Sequence, residues 1–305
     1  MPDPLFPGDS VSCAWHRVLA CGALLCIACG AQALELADDR GVAVRMPAAA
    51  ARIVTLAPHL AELVYAAGAG PKLAGVARFS DFPPDARALP EVGDAARVDA
   101  ERILALKPDL VLAWKSGNQA ADITRLEDLG VTVFVTEPTR LADIPRLIRA
   151  VGTLAGSADS AVDAAAAFEQ AVAGLRHRHA TRPPVRVFYE IWHRPLITVN
   201  GKHFISDVIA LCGGVNVFDR APLLTPTVSL EAVLAAHPEA IIGGSSAASA
   251  ADFVAQWRAE PVAALRAIPV AFVPADAIQR AGPRLAAGAS TICAELERVR
   301  ALRAR

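Results

Sequence analysis

The sequence predicts an α/β protein of two Rossmann-like lobes with mainly parallel sheets, joined by one long α-helix. Three observations carry this. After residue 33, short β-branched runs alternate with amphipathic helical stretches, the pattern of βαβ units. A Pro-free stretch at 157–179, Ala-rich in its middle, interrupts that alternation once. A gapless internal repeat lies on either side of it, one copy opening at Val98 and the other at Val228.

Residues 1–33 stand apart. His16 and Arg17 precede an apolar run at 18–28, and Ala31-Gln32-Ala33 supplies small residues at a cleavage site, so the segment reads as a secretory signal that exports the mature chain. The run is about half of the ~20 residues needed to span a bilayer. Cys29 could instead carry a lipid anchor, although Cys26 stands where such a signal usually has Leu. Cys26 and Cys29 have redox or metal spacing but lie inside the leader, which removes them as chemistry.

The first lobe is expected over 34–155. Strands are read at 52–56, 72–76, 109–114 and 131–136, and helices at 61–67, 100–106, 119–129 and 141–154, the first ended by Gly68. The linking helix falls within 156–182, stopped by Pro183-Pro184. The second lobe, 183–305, restarts the alternation with strands at 185–191, 240–243 and 270–273. Its helices are read at 204–211, 230–236, 252–265 and 284–302.

In both repeat copies an N-cap candidate (Asp99, Ser229) precedes a carboxylate in the first helical turn (Glu101, Glu231). A proline (Pro108, Pro238) then stops the helix before an apolar strand. The bland role for the two glutamates is interaction with the helix macrodipole. The alternative is a matched pair that meets arginines on a two-fold symmetric partner.

A chain of 305 residues, 54% hydrophobic and 20% charged, can bury two domain cores and is neither disordered nor fibrous. The formal net charge of −1 arises from 30 basic and 31 acidic residues without a long like-charge run, so nucleic acid is not an expected partner. Outside the leader only Cys212 and Cys293 remain. They form one disulfide or two buried thiols, and export favours the bridge.

Only 5% of residues are aromatic, which makes their positions informative. Phe79 lies in a loop before Ser80-Asp81-Phe82, Trp114 ends a strand, and Trp192 follows the first strand of the second lobe. In open α/β sheets ligands sit at the carboxyl ends of strands, where these flat side chains could grip a planar ligand or simply pack a loop base. Asp276 and Arg280, read as loop residues, could bind ligand amides or pair with each other. His59 is either a metal or cofactor contact or a helix-start residue. No His-Glu-x-x-His, Gly-x-Ser-x-Gly, P-loop or Gly-x-Gly-x-x-Gly motif is present, so no catalytic residue is assigned.

From about Arg52 to Leu296 the chain resembles the family of periplasmic iron-siderophore, haem and vitamin B12 receptors of ABC importers, at its B12-binding branch. The resemblance rests on the order and spacing of Arg52-Ile53-Val54-Thr55-Leu56-Ala57-Pro58, Phe79-Ser80-Asp81-Phe82-Pro83-Pro84, the 101–114 stretch with Ser116-Gly117-Asn118, Cys212-Gly213-Gly214-Val215-Asn216, and Asp276 with Arg280-Ala281-Gly282-Pro283-Arg284.

The resemblance implies a monomeric, non-enzymatic receptor with a rigid interlobe helix and no cofactor, which captures cobalamin or a related corrinoid and delivers it to membrane-spanning subunits. It implies ligand contacts at Phe79, Trp114, Asp276 and Arg280, a further contact at Ile191 or Trp192, docking glutamates at Glu101 and Glu231, and a Cys212–Cys293 disulfide. The chain departs from the B12 branch at Thr225, which stands where a tryptophan precedes Pro-x-Val-Ser, and this puts the choice of corrinoid in question. Haem, ferric siderophore or a metal ion is the alternative ligand. A metal site would recruit His59, His193, His203 and Asp276. An exported α/β hydrolase is the reading from another class.

Overall fold

Residues 33–94, 96–244 and 249–304 are described by a computed structural model. The expected leader up to residue 32, and Cys29 with it, lies outside the described residues. The described chain opens with an antiparallel hairpin, β1 (Leu34–Ala37) and β2 (Ala43–Met46), that the sequence does not announce. Its strands are four residues long and half exposed, too short for a clear period of two. Its turn is organised by Asp38, whose Oδ1 accepts from the backbone N–H groups of Arg40 and Val42.

Next come β3 (Ile53–Thr55), α1 (Pro58–Ala66), β4 (Leu73–Val76), α2 (Ala100–Ala105), β5 (Leu110–Trp114), α3 (Ala120–Asp128), β6 (Val133–Thr136) and α4 (Asp143–Ala155). The strands pair in parallel in the order β4-β3-β5-β6. The second lobe holds β7 (Val185–Glu190), α6 (Phe204–Leu211), β8 (Gly214–Asn216), α7 (Leu230–Ala235), β9 (Ala240–Gly243), α8 (Ala250–Arg258), α9 (Ala263–Arg266), β10 (Val270–Phe272), α10 (Ala275–Ile278) and α11 (Leu285–Arg303). Its sheet is also parallel, in the order β10-β9-β7-β8. In each sheet the first strand lies between the second and third, so strand order reverses there. Buried on both faces, these strands read as continuous apolar runs rather than alternating ones.

The lobes are joined by the 22-residue helix α5 (Ala158–His179), about 33 Å long at 1.5 Å per residue. Ala161, Ala165, Phe168, Val172, Leu175 and His179 are buried at spacings of three and four, forming one inward seam. On α4, a Cβ at Gly152 would meet the Ala161 Cβ at 2.2 Å, so glycine is what lets the two helices approach. One apolar cluster runs through α1, α4, α5, α6, α11 and the inner faces of both sheets. Separate clusters fill the outer face of each lobe.

The repeat extends to atomic detail. Asp109 Oδ2 accepts from the backbone N–H groups of Ala51 and Arg52, while the Arg52 guanidinium donates to the Leu106 carbonyl just past α2. In the second lobe Glu239 Oε2 accepts from the Arg186 N–H, and the Arg186 guanidinium donates to the carbonyls of Ala236 and His237. Lys107 and His237, at φ 48° and 46°, make the same left-handed turn before a proline.

Besides the hairpin, four further features depart from the sequence pattern. The helix expected over 252–265 is two helices, because Pro261 has no N–H for an interior helical bond. Helix α1 starts earlier than expected, with Pro58 at its first position, where a missing N–H costs nothing. Strand β8 starts on the second of two adjacent glycines, Gly213 and Gly214, which hide it. Asp276 lies in α10 rather than in a loop. Among the described residues no helix is long and apolar enough to cross a membrane.

Candidate functional site at the facing strand ends

The carboxyl ends of the strands carry the residues with unusual surroundings. Phe79 follows β4 with φ 68° and is 68% exposed, a left-handed backbone that costs a non-glycine residue about 1–2 kcal/mol. Trp114 closes β5. Its backbone N–H donates to Asn118 Oδ1, and Asn118 Nδ2 in turn donates to the Leu56 carbonyl after β3, so one amide ties both strand ends. A Cβ at Gly117 would fall 1.9 Å from the Trp114 ring, so the backbone itself forms one wall of the indole's seat.

His59, in the first turn of α1, stands against Trp114. It is buried, its Nε2 has no hydrogen-bond partner, and burial together with the nearby Arg280 charge pulls its pKa from 6.5 to about 3. The Thr55 hydroxyl, at the end of β3, and the Ser80 hydroxyl, after β4, are likewise buried and unpartnered. Polar groups left this way are rare in cores and need a reason.

The second lobe meets this edge through charge. Arg280 Nη2 lies 2.8 Å from Asp276 Oδ1, its Nη1 lies 2.6 Å from Asp81 Oδ1, and the same Nη1 lies 3.4 Å from Glu62 Oε1. Arg284 grips Glu62 with both prongs, Nε to Oε2 at 3.0 Å and Nη2 to Oε1 at 2.7 Å, and its guanidinium covers the Phe82 ring at 4.5 Å. Burial alone would push the Asp81 carboxyl up, but the Arg280 hydrogen bond and charge outweigh it and hold the carboxyl below its usual range. The pairing of Asp276 with Arg280 left open by the sequence is therefore present, and Arg280 also crosses between lobes.

Trp114 shares a narrow interlobe crevice of about 20 Å³ with Glu137, Lys202, His203, Phe204 and Leu224. Thr225 is exposed and follows Leu224 in the chain. Ile191 is half-buried against the main core, and its carbonyl accepts from Gln279. Trp192 is 46% exposed and lines a different cavity, about 410 Å³, with His193, Arg194, Gln256 and Ala259. The structure thus joins Asp276 and Arg280 to the Phe79 loop through Asp81 and sets Trp114 beside the Thr225 loop. Trp192 is not part of either group among the described residues.

The histidines suggested for a metal are dispersed. His193 contacts Glu190 and Glu260, and His203 caps α6. Among the described residues no group of three or more His, Cys, Asp or Glu could hold a metal ion. Of the two tyrosines, Tyr189 is buried in β7 with its phenol pKa raised by burial, and Tyr65 is half-buried on α1.

Glu101 and Glu231 are exposed in the first turns of α2 and α7, whose N-caps Asp99 and Ser229 accept from the N–H groups three residues on. Cys212 and Cys293 form a disulfide between the end of α6 and α11. Glu62 and Arg284 were not singled out in the sequence. The available signal is a carboxylate at position 62 inside the apolar run Leu60-Ala61-Glu62-Leu63-Val64.

A family model described as periplasmic binding protein matches residues 53–274. The vitamin B12-binding protein of Vibrio cholerae serotype O1 is 36% identical over 251 residues, covering 82% of this chain and 91% of that protein. The crystal structure of the periplasmic vitamin B12-binding protein BtuF of Vibrio cholerae superposes with a TM-score of 0.75 at 35% identity, covering 82% of this chain and 98% of that one. The apo periplasmic heme-binding protein RhuT from Roseiflexus sp. RS-1 shares the fold, with a TM-score of 0.69 at 23% identity, covering 81% of this chain and 98% of that one.

Proposed function

The chain belongs to the periplasmic binding protein family, and on that premise we propose that it is the non-enzymatic receptor of an ABC importer that captures cobalamin or a related corrinoid in the periplasm. The observation that carries this is the combination, at facing strand ends, of exposed Phe79 and half-buried Trp114 with the Asp81–Arg280–Asp276 charge bridge. Flat apolar groups cover a macrocycle, and a few fixed polar groups set its orientation through side-chain amides.

In this reading Phe79, Trp114, Ile191, Thr225, Asp276 and Arg280 face the ligand, Trp192 lines a separate cavity, and Glu101 and Glu231 meet the membrane subunits, one per lobe. The crevice beside Trp114 has room for about one water, so a corrinoid lies across the open strand ends or enters as the lobes part. Capture needs no bond made or broken, and no nucleophile with an assigned base belongs to it. Haem is the weaker ligand, because Tyr189, at the carboxyl end of β7, is fully buried with its hydroxyl accepting from Gln279, and Tyr65 lies on α1.

Calorimetric titration of the mature protein with cobalamin, cobinamide, haem and a ferric siderophore tests the reading. One-to-one binding of a corrinoid is expected. Binding of haem or the siderophore with neither corrinoid bound would overturn it.

A further inference from the structure

Glu62 lies in the middle of α1, in the first lobe, and is 3% exposed. An isolated buried carboxylate is strongly disfavoured unless paired and hydrogen-bonded. Both of its partners come from the second lobe, Arg284 in a two-pronged grip and Arg280 through one prong at 3.4 Å. Forked pairing restricts orientation as well as separation, because both guanidinium N–H directions are fixed at once. Gly282, between the two arginines, lies so close to α1 that a Cβ there would be 3.2 Å from Glu62 Oε2 and 3.7 Å from the His59 Cβ. The 280–284 segment is therefore held against α1 by charge and by close approach together.

We propose that Glu62 is the positioning residue of the ligand site. It anchors the 280–284 segment through Arg284 and holds Arg280 at the facing strand ends, with Asp81 and Asp276 as the partners that a ligand amide or carboxyl displaces. The assignment follows from exposure. The Glu62 side chain, 1% exposed, is too enclosed to touch a ligand, whereas the Asp81 and Asp276 side chains are 38% and 51% exposed and can turn away. Arg280 thereby keeps a fixed place when its exchangeable partners leave, so that little orientational freedom is lost on binding. The proposal rests on the corrinoid-capture reading.

A double-mutant cycle read by calorimetry with cobalamin tests it. Glu62→Gln in the otherwise wild-type chain is expected to weaken binding about tenfold, within the coupling range of contacting charged groups. In an Arg280→Ala background the same change is expected to alter affinity less than twofold. An equal loss in both backgrounds would show that Glu62 acts independently of Arg280 and overturns the proposal. If Glu62→Gln does not fold, the doubly neutral Glu62→Gln/Arg284→Met protein, which leaves no buried charge unpaired, enters the same cycle with the same expectations. Wild-type protein that binds neither cobalamin nor cobinamide overturns the functional reading instead, and this proposal falls with it.

Discussion

The imidazole of His59 stands edge-on to the indole of Trp114, with ring centroids 5.1 Å apart and planes at 87°. Burial, with the nearby Arg280 charge, keeps the imidazole neutral down to about pH 3 in the folded protein. His203 is held neutral in the same way, to about pH 4. Between these values and about 6.5 the unfolded chain binds protons that the folded chain refuses. Their contribution to stability is therefore complete above pH 6.5 and is lost as pH falls through that window.

The first prediction follows from that sign. The unfolding free energy of the wild-type protein should fall between pH 6 and 4, and His59→Phe should flatten the fall by up to about 1.4 kcal/mol per pH unit, the value of one proton. Urea unfolding across that range measures it. An unchanged slope would mean the buried ring is not kept neutral.

Phe79 combines a strained backbone with an exposed ring. Phe79→Gly should leave stability unchanged or raise it by about 1 kcal/mol, since glycine adopts positive φ freely. Corrinoid affinity should drop about tenfold through loss of the flat contact. Affinity preserved in a stabilised variant would show that the ring takes no part in capture.

The Cys212–Cys293 bridge spans 81 residues, from α6 to α11. Chain-entropy reasoning for a loop of this size gives about 4 kcal/mol of stabilisation. The Cys212→Ala/Cys293→Ala protein should lose an amount of that order in denaturant unfolding. A loss below about 1 kcal/mol would mean that helix packing alone holds this corner.

For Glu101 and Glu231 the expected effect is on delivery, not capture. Ser229 and the residue's own backbone N–H hold the Glu231 carboxyl below its ordinary range, so it is charged when it meets a partner. Glu101→Ala and Glu231→Ala should each leave corrinoid affinity within twofold of wild type. Each should weaken binding to a reconstituted importer about tenfold, and added salt should erode wild-type docking by screening the same charges. Undiminished docking of the double variant would remove both residues from the interface.

How much of this was readable in advance differs between fold and site. The run ending at Trp114 became β5 because its strand is covered on both faces, and the 157–179 stretch became α5 because nothing in it breaks a helix. The break before α9 turned on one proline inside a convincing pattern, and the β1–β2 hairpin on strands too short to show a period. Phe79 and Trp114 stood out as site candidates because aromatics are scarce. The grip of Arg284 on Glu62 did not, since 222 residues separate them and only the closure of two lobes brings them together.

The apolar cluster that passes from the first sheet through α4 and α5 to α6 and α11 belongs to neither lobe alone. The halves therefore share one thermodynamic fate. A cavity opened on one side lowers the melting temperature of the other, and heat should dissolve both in a single cooperative transition, so that a damaged receptor is removed from service as a whole.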